Sequence, residues 1–140
     1  MTVTANSAWE ALLEAHSTLV KRFQADDAWG DLTMREYDVL YTLSKCPEPV
    51  RLGELNRHVL LSQPAMSRLV DRLAARGLVA RDPDPADRRG VRLSLTAPGR
   101  DRQRQIGARH AREVSRALRA ALTPDELTQF EELCRKLAKD

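Results

Sequence analysis

The sequence predicts a mainly α-helical fold with one small β-hairpin. Over most of the 140 residues, apolar side chains recur at three- and four-residue steps, the spacing of amphipathic helices. Residues 91–96 instead alternate strictly between apolar and polar side chains, as a half-buried strand does. The length suits one core, so residues 1–140 are expected to form a single domain.

Composition and terminal residues bound the class of protein. Hydrophobic residues make up 42% of the chain and charged residues 31%, a balance typical of a folded globular protein. No apolar run reaches membrane-spanning length, and the start, MTVTANSAWEALLE, lacks the features of a signal peptide. We therefore expect a cytoplasmic protein with no membrane partner. Cys46 and Cys134 stand far apart without a CxxC motif, so we expect neither a disulfide framework, a metal site nor a cofactor.

The first third of the chain predicts two amphipathic helices. The first covers about residues 7–26, where apolar side chains recur at helical spacing. The second begins after Thr33, because Thr33 and Glu36 can form a capping box. CPEP at 46–49 ends this helix. The side chains expected to face inward are Tyr37, Leu40, Tyr41 and Leu43.

A helix-turn-helix is predicted next. After an extended piece at residues 50–51, residues 52–59 indicate a short helix with buried Leu52, Leu55 and Val59. Ser62 is a suitable N-cap for the following helix, and Gly77 suits its C-terminal cap. Met66, Leu69, Val70 and Leu73 form its apolar stripe, whereas the opposite face carries Gln63, Ser67, Arg68, Asp71, Arg72 and Arg76. In such motifs the first residues of the second helix reach base edges in the major groove.

A β-hairpin is predicted to follow directly. Residues 78–81 form one strand, DPDPADRRG at 82–90 forms a loop, and residues 91–96 return as the second strand. Arg88 and Arg89 then stand at the tip, where they suit the negative potential of a narrow minor groove. Asp87 is close enough in sequence to pair with Arg89 and orient it. An isolated loop of this composition would only be a solvated surface, but beside a basic helix it predicts a winged helix-turn-helix.

Positive charge is concentrated in the middle of the chain. Residues 68–112 carry twelve basic side chains, all arginine, and five acidic ones, a net charge of +7. Residues 1–67 carry a net charge of −3 and residues 113–140 a net charge of −1. A GC-rich genome would account for arginine in place of lysine, but it does not account for this segregation. The segregation indicates a surface that binds a polyanion.

Two further helices are predicted at the C-terminus. Thr96 and Pro98 start a long helix, and Thr123 caps a final one whose apolar stripe contains Phe130 and Leu137. The segments 7–30 and 97–140 carry more apolar surface than a small winged region can cover, so we expect them to pair with a second copy. The alternative is a monomer in which these helices wrap the winged core.

The residues of this central region resemble the MarR family of bacterial winged-helix transcription regulators. The resemblance covers residues 32–100 and is most specific in DRRG, the alternating strand and LTAPGR, with Asp87 and Arg89 at the family's wing signature. One departure is Leu60, where such turns often place glycine. The resemblance implies an obligate homodimer, with two recognition helices about 34 Å apart on a near-palindromic site. The residues expected to contact DNA are Gln63, Pro64, Ser67, Arg68, Arg72, Asp87, Arg88 and Arg89.

Regulators of this family commonly respond to small phenolic or other aromatic ligands bound between the dimer helices and the winged domain. Candidate lining residues here are Trp9, His16, Arg22, Trp29, Tyr37 and Tyr41. Aromatic and histidine side chains at helical spacing are also common core residues, so the alternative of a purely structural role stays open.

The predicted function is therefore a sequence-specific regulator of transcription that binds double-stranded DNA, a homodimeric repressor whose affinity a small aromatic ligand modulates. Repression is expected because a compact dimer on a promoter blocks polymerase. An enzyme is not expected, because no nucleophile elbow, P-loop, HExxH or dinucleotide motif occurs and His16, His58 and His110 fall on separate helices. The alternative is a winged-helix domain that binds RNA or an acidic protein partner.

Overall fold

The computed structural model describes residues 2–56, 59 and 61–139. The predictions made for His58 and Leu60 lie outside these residues. The helices are α1 (Ala5–Gln24), a 3-10 turn (Asp27–Trp29), α2 (Met34–Lys45), α3 (Leu52–Leu55), α4 (Gln63–Ala75), α5 (Ala97–Ala121) and α6 (Pro124–Ala138), and the strands are β1 (Val50–Arg51), β2 (Val79–Asp84) and β3 (Asp87–Leu95). The mainly helical prediction is confirmed. The helix predicted over 52–59 is too long, because α3 ends at Leu55 with Asn56 as its C-cap and Val59 lies in a bend. Leu55 and Val59 are buried as predicted, whereas Leu52 is half-buried.

Side-chain caps begin the helices where the sequence predicts them. The Thr33 hydroxyl accepts from the Glu36 N–H at 3.1 Å, and the Glu36 carboxylate accepts from the Thr33 N–H at 2.8 Å. Ser62, Thr96 and Thr123 likewise cap α4, α5 and α6. The first helix begins two residues earlier than predicted, because Thr4 caps it through a capping box with Ser7.

The three strands form one antiparallel sheet in the order β1–β3–β2. Val50 lies opposite Leu93 in one pair, and Val79 lies opposite Leu95 in the other. We call the hairpin of β2 and β3, residues 79–95, the wing. The prediction of a nine-residue loop at 82–90 is wrong, because pairing continues to Asp84 and Asp87 around a turn at residues 85 and 86. A register shift leaves residues 88–90 without a partner on β2. Pro83 is tolerated because β2 is an edge strand.

One buried cluster joins α2, α3, α4 and the sheet. Its fully buried members are Val39, Leu40, Leu55, Met66 and Leu73. All four side chains of the predicted α4 stripe are buried, and so are Tyr37, Leu40 and Leu43 of α2. The inward placement predicted for Tyr41 is wrong, because this side chain is 44% exposed. Tyr41 stands one position beyond the buried Leu40, so the helix turns it away from the core.

A close junction joins the end of α4 to the start of α5. Gly77 adopts φ +75°, the left-handed conformation that ends a helix, and its carbonyl accepts from the Thr96 hydroxyl at 2.6 Å. The Thr96 N–H donates to the Leu78 carbonyl at 3.2 Å. Gly99 packs against the same carbonyl so closely that a Cβ there would overlap its oxygen. The junction therefore needs glycine at position 99.

The outer helices leave much of their apolar surface uncovered within one chain. Phe23 is the buried residue of α1, while Trp9 and Leu13 of the same helix are 56% and 48% exposed. Helix α6 has no buried residue among the described ones, and its Phe130, Leu133 and Leu137 are exposed. In the parts of the chain that the structure describes, no helix is both long enough and apolar enough to cross a membrane.

Candidate nucleic-acid interface

The outer face of α4 presents the residues predicted to reach bases. Ser62 accepts from the Ala65 N–H at 3.2 Å, and Pro64 occupies the first turn, where its missing N–H costs no hydrogen bond. Gln63, Pro64 and Arg68 are exposed, and Ser67 is half-buried. The apolar stripe beneath fixes this face outward, since all four of its side chains lie in the core.

A groove separates α4 from the wing and brings predicted residues of both elements together. Gln63 and Ser67 line one wall, while Arg89, Gly90 and Val91 line the other. Its volume is about 480 Å³. The prediction that the second helix and the hairpin form one surface thus has a geometric basis. Arg88 is exposed beside the hairpin turn and extends this surface outward.

The arginines of this region fall into two groups. Several are engaged within the chain: Arg81 Nη1 lies 2.5 Å from Asp71 Oδ1, Arg72 Nε lies 3.9 Å from Glu36 Oε2, and Arg76 pairs with Asp31. Among the described residues, Arg68, Arg88 and Arg89 make no ion pair with a carboxylate. The three unpaired guanidinium groups are the ones available to a polyanion.

The role predicted for Asp87 needs a correction. Its carboxylate accepts from the backbone N–H of Arg89 at 3.0 Å and makes no ion pair with the guanidinium group. This bond bends the chain as it leaves the hairpin turn, in the manner of an Asx turn. Asp87 therefore orders the backbone that carries Arg89, and the Arg89 side chain extends into solvent without a partner among the described residues.

Asp84 holds the wing together, and sequence reasoning missed it. Its carboxylate is buried and accepts from Arg51 Nε at 2.6 Å and from the Ala86 N–H at 2.9 Å, while Arg92 Nε lies 3.5 Å away. The Ala86 N–H, together with the two guanidinium groups, lowers the pKa of the Asp84 carboxyl, and burial opposes this to a smaller extent. Gly90 leaves room for it, because a Cβ at position 90 would lie 3.2 Å from the Asp84 Cβ.

We expect Asp84→Asn to loosen the wing and to lower the free energy of unfolding at pH 7. The depressed pKa means that the charged carboxylate stabilises the fold above the unfolded pKa of about 3.9, and that this contribution is lost as the pH falls through the lower, folded pKa. The difference between the two proteins should therefore shrink below about pH 4. Urea unfolding across a pH series measures it. Asp82→Asn, an exposed change on the same strand, is the control; equal effects of the two changes would contradict the assignment.

A second cavity, of about 620 Å³, lies between α2 and α5 and reaches Leu127 of α6. Tyr37 and Tyr41 line it, together with Gln103, Gly107 and His110 of α5, which sequence reasoning did not single out. Their spacing of three and four residues along a helix was the available signal. The volume lies in the range of small-molecule sites.

His110 is the unusual residue of this cavity. Its ring packs against Trp29, Phe23 and Tyr37, with centroid separations of 4.8, 5.3 and 5.6 Å. Burial lowers the pKa of His110, and the nearby Asp26 carboxylate opposes this to a smaller extent, so the ring is neutral at pH 7. Its Nδ1 atom is buried and has no hydrogen-bond partner among the described residues. His110, which lines the cavity, thus carries a buried polar atom with no hydrogen-bond partner in the described chain.

The other residues predicted for a ligand lie elsewhere. Trp29 is 4% exposed and its indole N–H donates to the Phe23 carbonyl at 2.7 Å, so it supports the cavity from behind as a core residue. Trp9, His16 and Arg22 are exposed on α1 and do not line this cavity within the described chain. Of the six predicted residues, the structure brings Tyr37 and Tyr41 together at its wall.

A recognition helix, a wing and an unpaired arginine surface spanning both define the winged helix-turn-helix class of proteins. Comparison with known proteins refines this class. A model of the MarR family matches residues 30–90. The multiple antibiotic resistance protein MarR of Salmonella typhimurium is 31% identical over 107 residues, which cover 76% of this chain and 74% of that protein. The chain belongs to the MarR family of transcription regulators.

Solved structures of similar proteins agree with this assignment over nearly the whole chain. The MarR family transcriptional regulator Sco3205 from Streptomyces coelicolor, in complex with DNA, superimposes with a TM-score of 0.82 at 26% identity, covering 99% of this chain and 89% of that one. BpsR of Bordetella bronchiseptica, whose DNA binding is regulated by 6-hydroxynicotinic acid, gives a TM-score of 0.80 at 26% identity, covering 100% and 99%.

Proposed function

We propose that this chain is a homodimeric transcriptional repressor that binds a near-palindromic operator in double-stranded DNA, and so acts in the cytoplasm. The observation that carries the proposal is the placement of Arg68, Arg88 and Arg89. All three are exposed on α4 or the wing, and none pairs with a carboxylate in the described chain. Gln63 and Ser67 share a groove with Arg89, so helix and wing present one continuous surface to a duplex.

The dimer rests on the apolar surface of the outer helices. In this proposal residues 32–96 bind DNA, while residues 7–30 and 97–140 contribute the dimerisation helices of the same domain. Trp9 of α1 and Phe130, Leu133 and Leu137 of α6 are all exposed in the single chain. Burial of such side chains against a second copy is their natural use. A twofold pair places two recognition helices on successive turns of one face of the duplex.

The test is a binding titration on the region upstream of the protein's own gene. We expect the purified chain to run as a dimer and to bind that duplex more tightly than a scrambled duplex of equal length. Affinity should fall steeply with salt, because each neutralised phosphate releases counterions. Single-stranded RNA of the same sequence is the comparison that tests the alternative. Tighter binding to the RNA, or no preference between the duplexes, would contradict the proposal.

We also propose that an aromatic acid bound in the cavity between α2 and α5 weakens DNA binding. The cavity is lined by Tyr37, Tyr41, Arg119 and His110, whose buried Nδ1 has no hydrogen-bond partner in the described chain. Arg119 makes no ion pair within the described chain, although its Nε donates to Ser115 Oγ at 3.1 Å. A hydroxylated aromatic carboxylate matches these groups, since its ring stacks, its hydroxyl donates and its carboxylate pairs with arginine.

We expect His110→Phe to blunt the response to such acids while leaving DNA affinity unchanged. Phenylalanine keeps the aromatic packing but removes Nδ1, and loss of one hydrogen bond of about 1 kcal/mol corresponds to roughly a fivefold higher effector concentration. The measurement is displacement of labelled duplex by a panel of hydroxylated aromatic acids that includes 6-hydroxynicotinic acid. His16→Phe, an exposed change on α1, is the matched control. A shift of equal size in both variants would remove His110 from the site.

A further inference from the structure

We infer that Asp31 is a positioning residue that holds the DNA-reading helix α4 at a fixed angle to the long helix α5. This inference rests on the proposed function for its role, but not for its geometry. Asp31 lies between the 3-10 turn and α2, and its two carboxylate oxygens accept from two different arginines. Oδ2 accepts from Arg76, the residue that ends α4, and Oδ1 accepts from Arg102 of α5.

We call Asp31 and its two arginine partners, Arg76 and Arg102, the clamp. Its three residues come from separate parts of the chain. Arg76 stands 45 residues after Asp31, and Arg102 stands 71 residues after it. Arg76 also donates through Nη1 to the Asp31 backbone carbonyl at 3.4 Å, so it contacts both the side chain and the main chain. Gly30 adopts φ +63°, a conformation that favours glycine, and this turn directs the chain into Asp31.

The clamp lies at the C-terminal end of α4, whereas the residues proposed to reach bases lie at its N-terminal end. Gln63, Pro64 and Ser67 stand near the helix start, whereas Arg76 is the C-cap residue. Thirteen helical residues span about 20 Å, so a rotation of about 5° at the clamped end displaces the start by nearly 2 Å. Hydrogen bonds to base edges tolerate only a few tenths of an ångström. A small change of angle at Asp31 therefore disrupts the reading of bases without unfolding the helix.

If only the negative charge of Asp31 mattered, removing it would have the opposite effect on operator affinity. Removing the Asp31 carboxylate adds one positive charge and releases two guanidinium groups that are each about one-third exposed. If Asp31 acted only through the field of the protein, its loss would tighten binding to every duplex, since phosphate attraction is independent of sequence. If Asp31 positions α4, its loss weakens binding to the operator while binding to a scrambled duplex stays equal or tightens. The ratio of the two affinities separates the roles.

The experiment compares Asp31→Ala with Asp27→Ala in the full chain. Asp27 is an exposed carboxylate of the neighbouring 3-10 turn and makes no ion pair in the described chain, so it matches the charge change without the clamp. Fluorescence anisotropy at one ionic strength measures affinity for the operator and for the scrambled duplex. We expect Asp31→Ala to reduce the ratio at least fivefold and Asp27→Ala to leave it unchanged. An unchanged ratio for Asp31→Ala would overturn the inference.

A readout without DNA keeps the inference separate from the proposed function. Amide hydrogen exchange should accelerate in residues 72–78 and 98–104 of Asp31→Ala, because the contacts that tie the two helix ends are lost. Exchange in Asp27→Ala should match the wild type. If the wild-type chain shows no operator preference, the proposed function fails while the exchange data still decide the role of Asp31. An exchange rate in Asp31→Ala equal to that of the wild type would contradict the proposed role of the clamp.

Variants of Arg76 and Arg102 test the inference a second way, because both arginines donate to the same Asp31 carboxylate. Arg76→Gln and Arg102→Gln should each lower the operator-to-scrambled ratio, and the double variant should lose less than the product of the two single losses. Groups that act through the same carboxylate are coupled in this way. Fully multiplicative losses would mean that the arginines act independently, and would contradict a clamp built on Asp31.

Discussion

Replacing Arg68 by alanine is expected to weaken operator binding by about 1–3 kcal/mol, roughly 5- to 150-fold, and to relax the preference at one base pair. Arg68 is exposed on the first half of α4, the part of a recognition helix that reaches base edges. It makes no ion pair in the described chain, so its guanidinium fork is free for a bidentate guanine contact. A titration against operators altered one base pair at a time measures both effects.

Two other arginines serve as comparisons for Arg68. Arg72 lies one turn further along α4 and has Glu36 within 3.9 Å, so Arg72→Ala should cost less. Arg89 lies on the wing, so Arg89→Ala should weaken binding to all sequences evenly and reduce the salt slope by about one. Unchanged affinity and base preference in Arg68→Ala would contradict direct reading by this residue. Unchanged affinity in Arg89→Ala would remove the wing from the interface.

Replacing Gly99 by alanine is expected to lower the free energy of unfolding by about 1–3 kcal/mol, the usual cost of overpacking. The new Cβ would overlap the Leu78 carbonyl oxygen and lie 2.9 Å from its carbonyl carbon. These are backbone atoms at the junction of α4 and α5, so no flexible side chain can move to make room. Helix α5 would have to shift away from the wing, which would also change the angle between α5 and α4.

Urea unfolding at one fixed protein concentration measures this loss, because the stability of a dimer depends on concentration. Gly53→Ala is the matched control: position 53 lies in α3, and a Cβ there meets no atom within 4 Å. Alanine at such a site should be neutral or stabilise the helix by about 0.5–1 kcal/mol. Equal stability of the two variants would show that the contact at Gly99 is relieved without cost.

Local rules were sufficient for most helices and for the α4 stripe. Thr33, Ser62 and Thr123 cap helices through bonds to residues three positions away, so the whole interaction lies within a few letters of sequence. The wing loop was predicted too long because Pro83 and two aspartates resemble a turn. Only the pairing with β3, a contact between strands, extends β2 to Asp84. Local composition could not reveal that pairing.

In the candidate sites, too, some features follow from local sequence and others from contacts between distant elements. A helix stripe and an alternating strand assign each residue to a face, so the side chains that α4 and the wing display can be predicted from the sequence alone. Which arginines lack an ion pair depends on the folded chain, since Asp84 pairs with Arg51 and Asp31 pairs with Arg76 and Arg102 across tens of residues. The packing of His110 among aromatic rings from three segments likewise depends on the folded chain. Burial and ion pairing depend on which elements pack together, and spacing along one element does not contain that information.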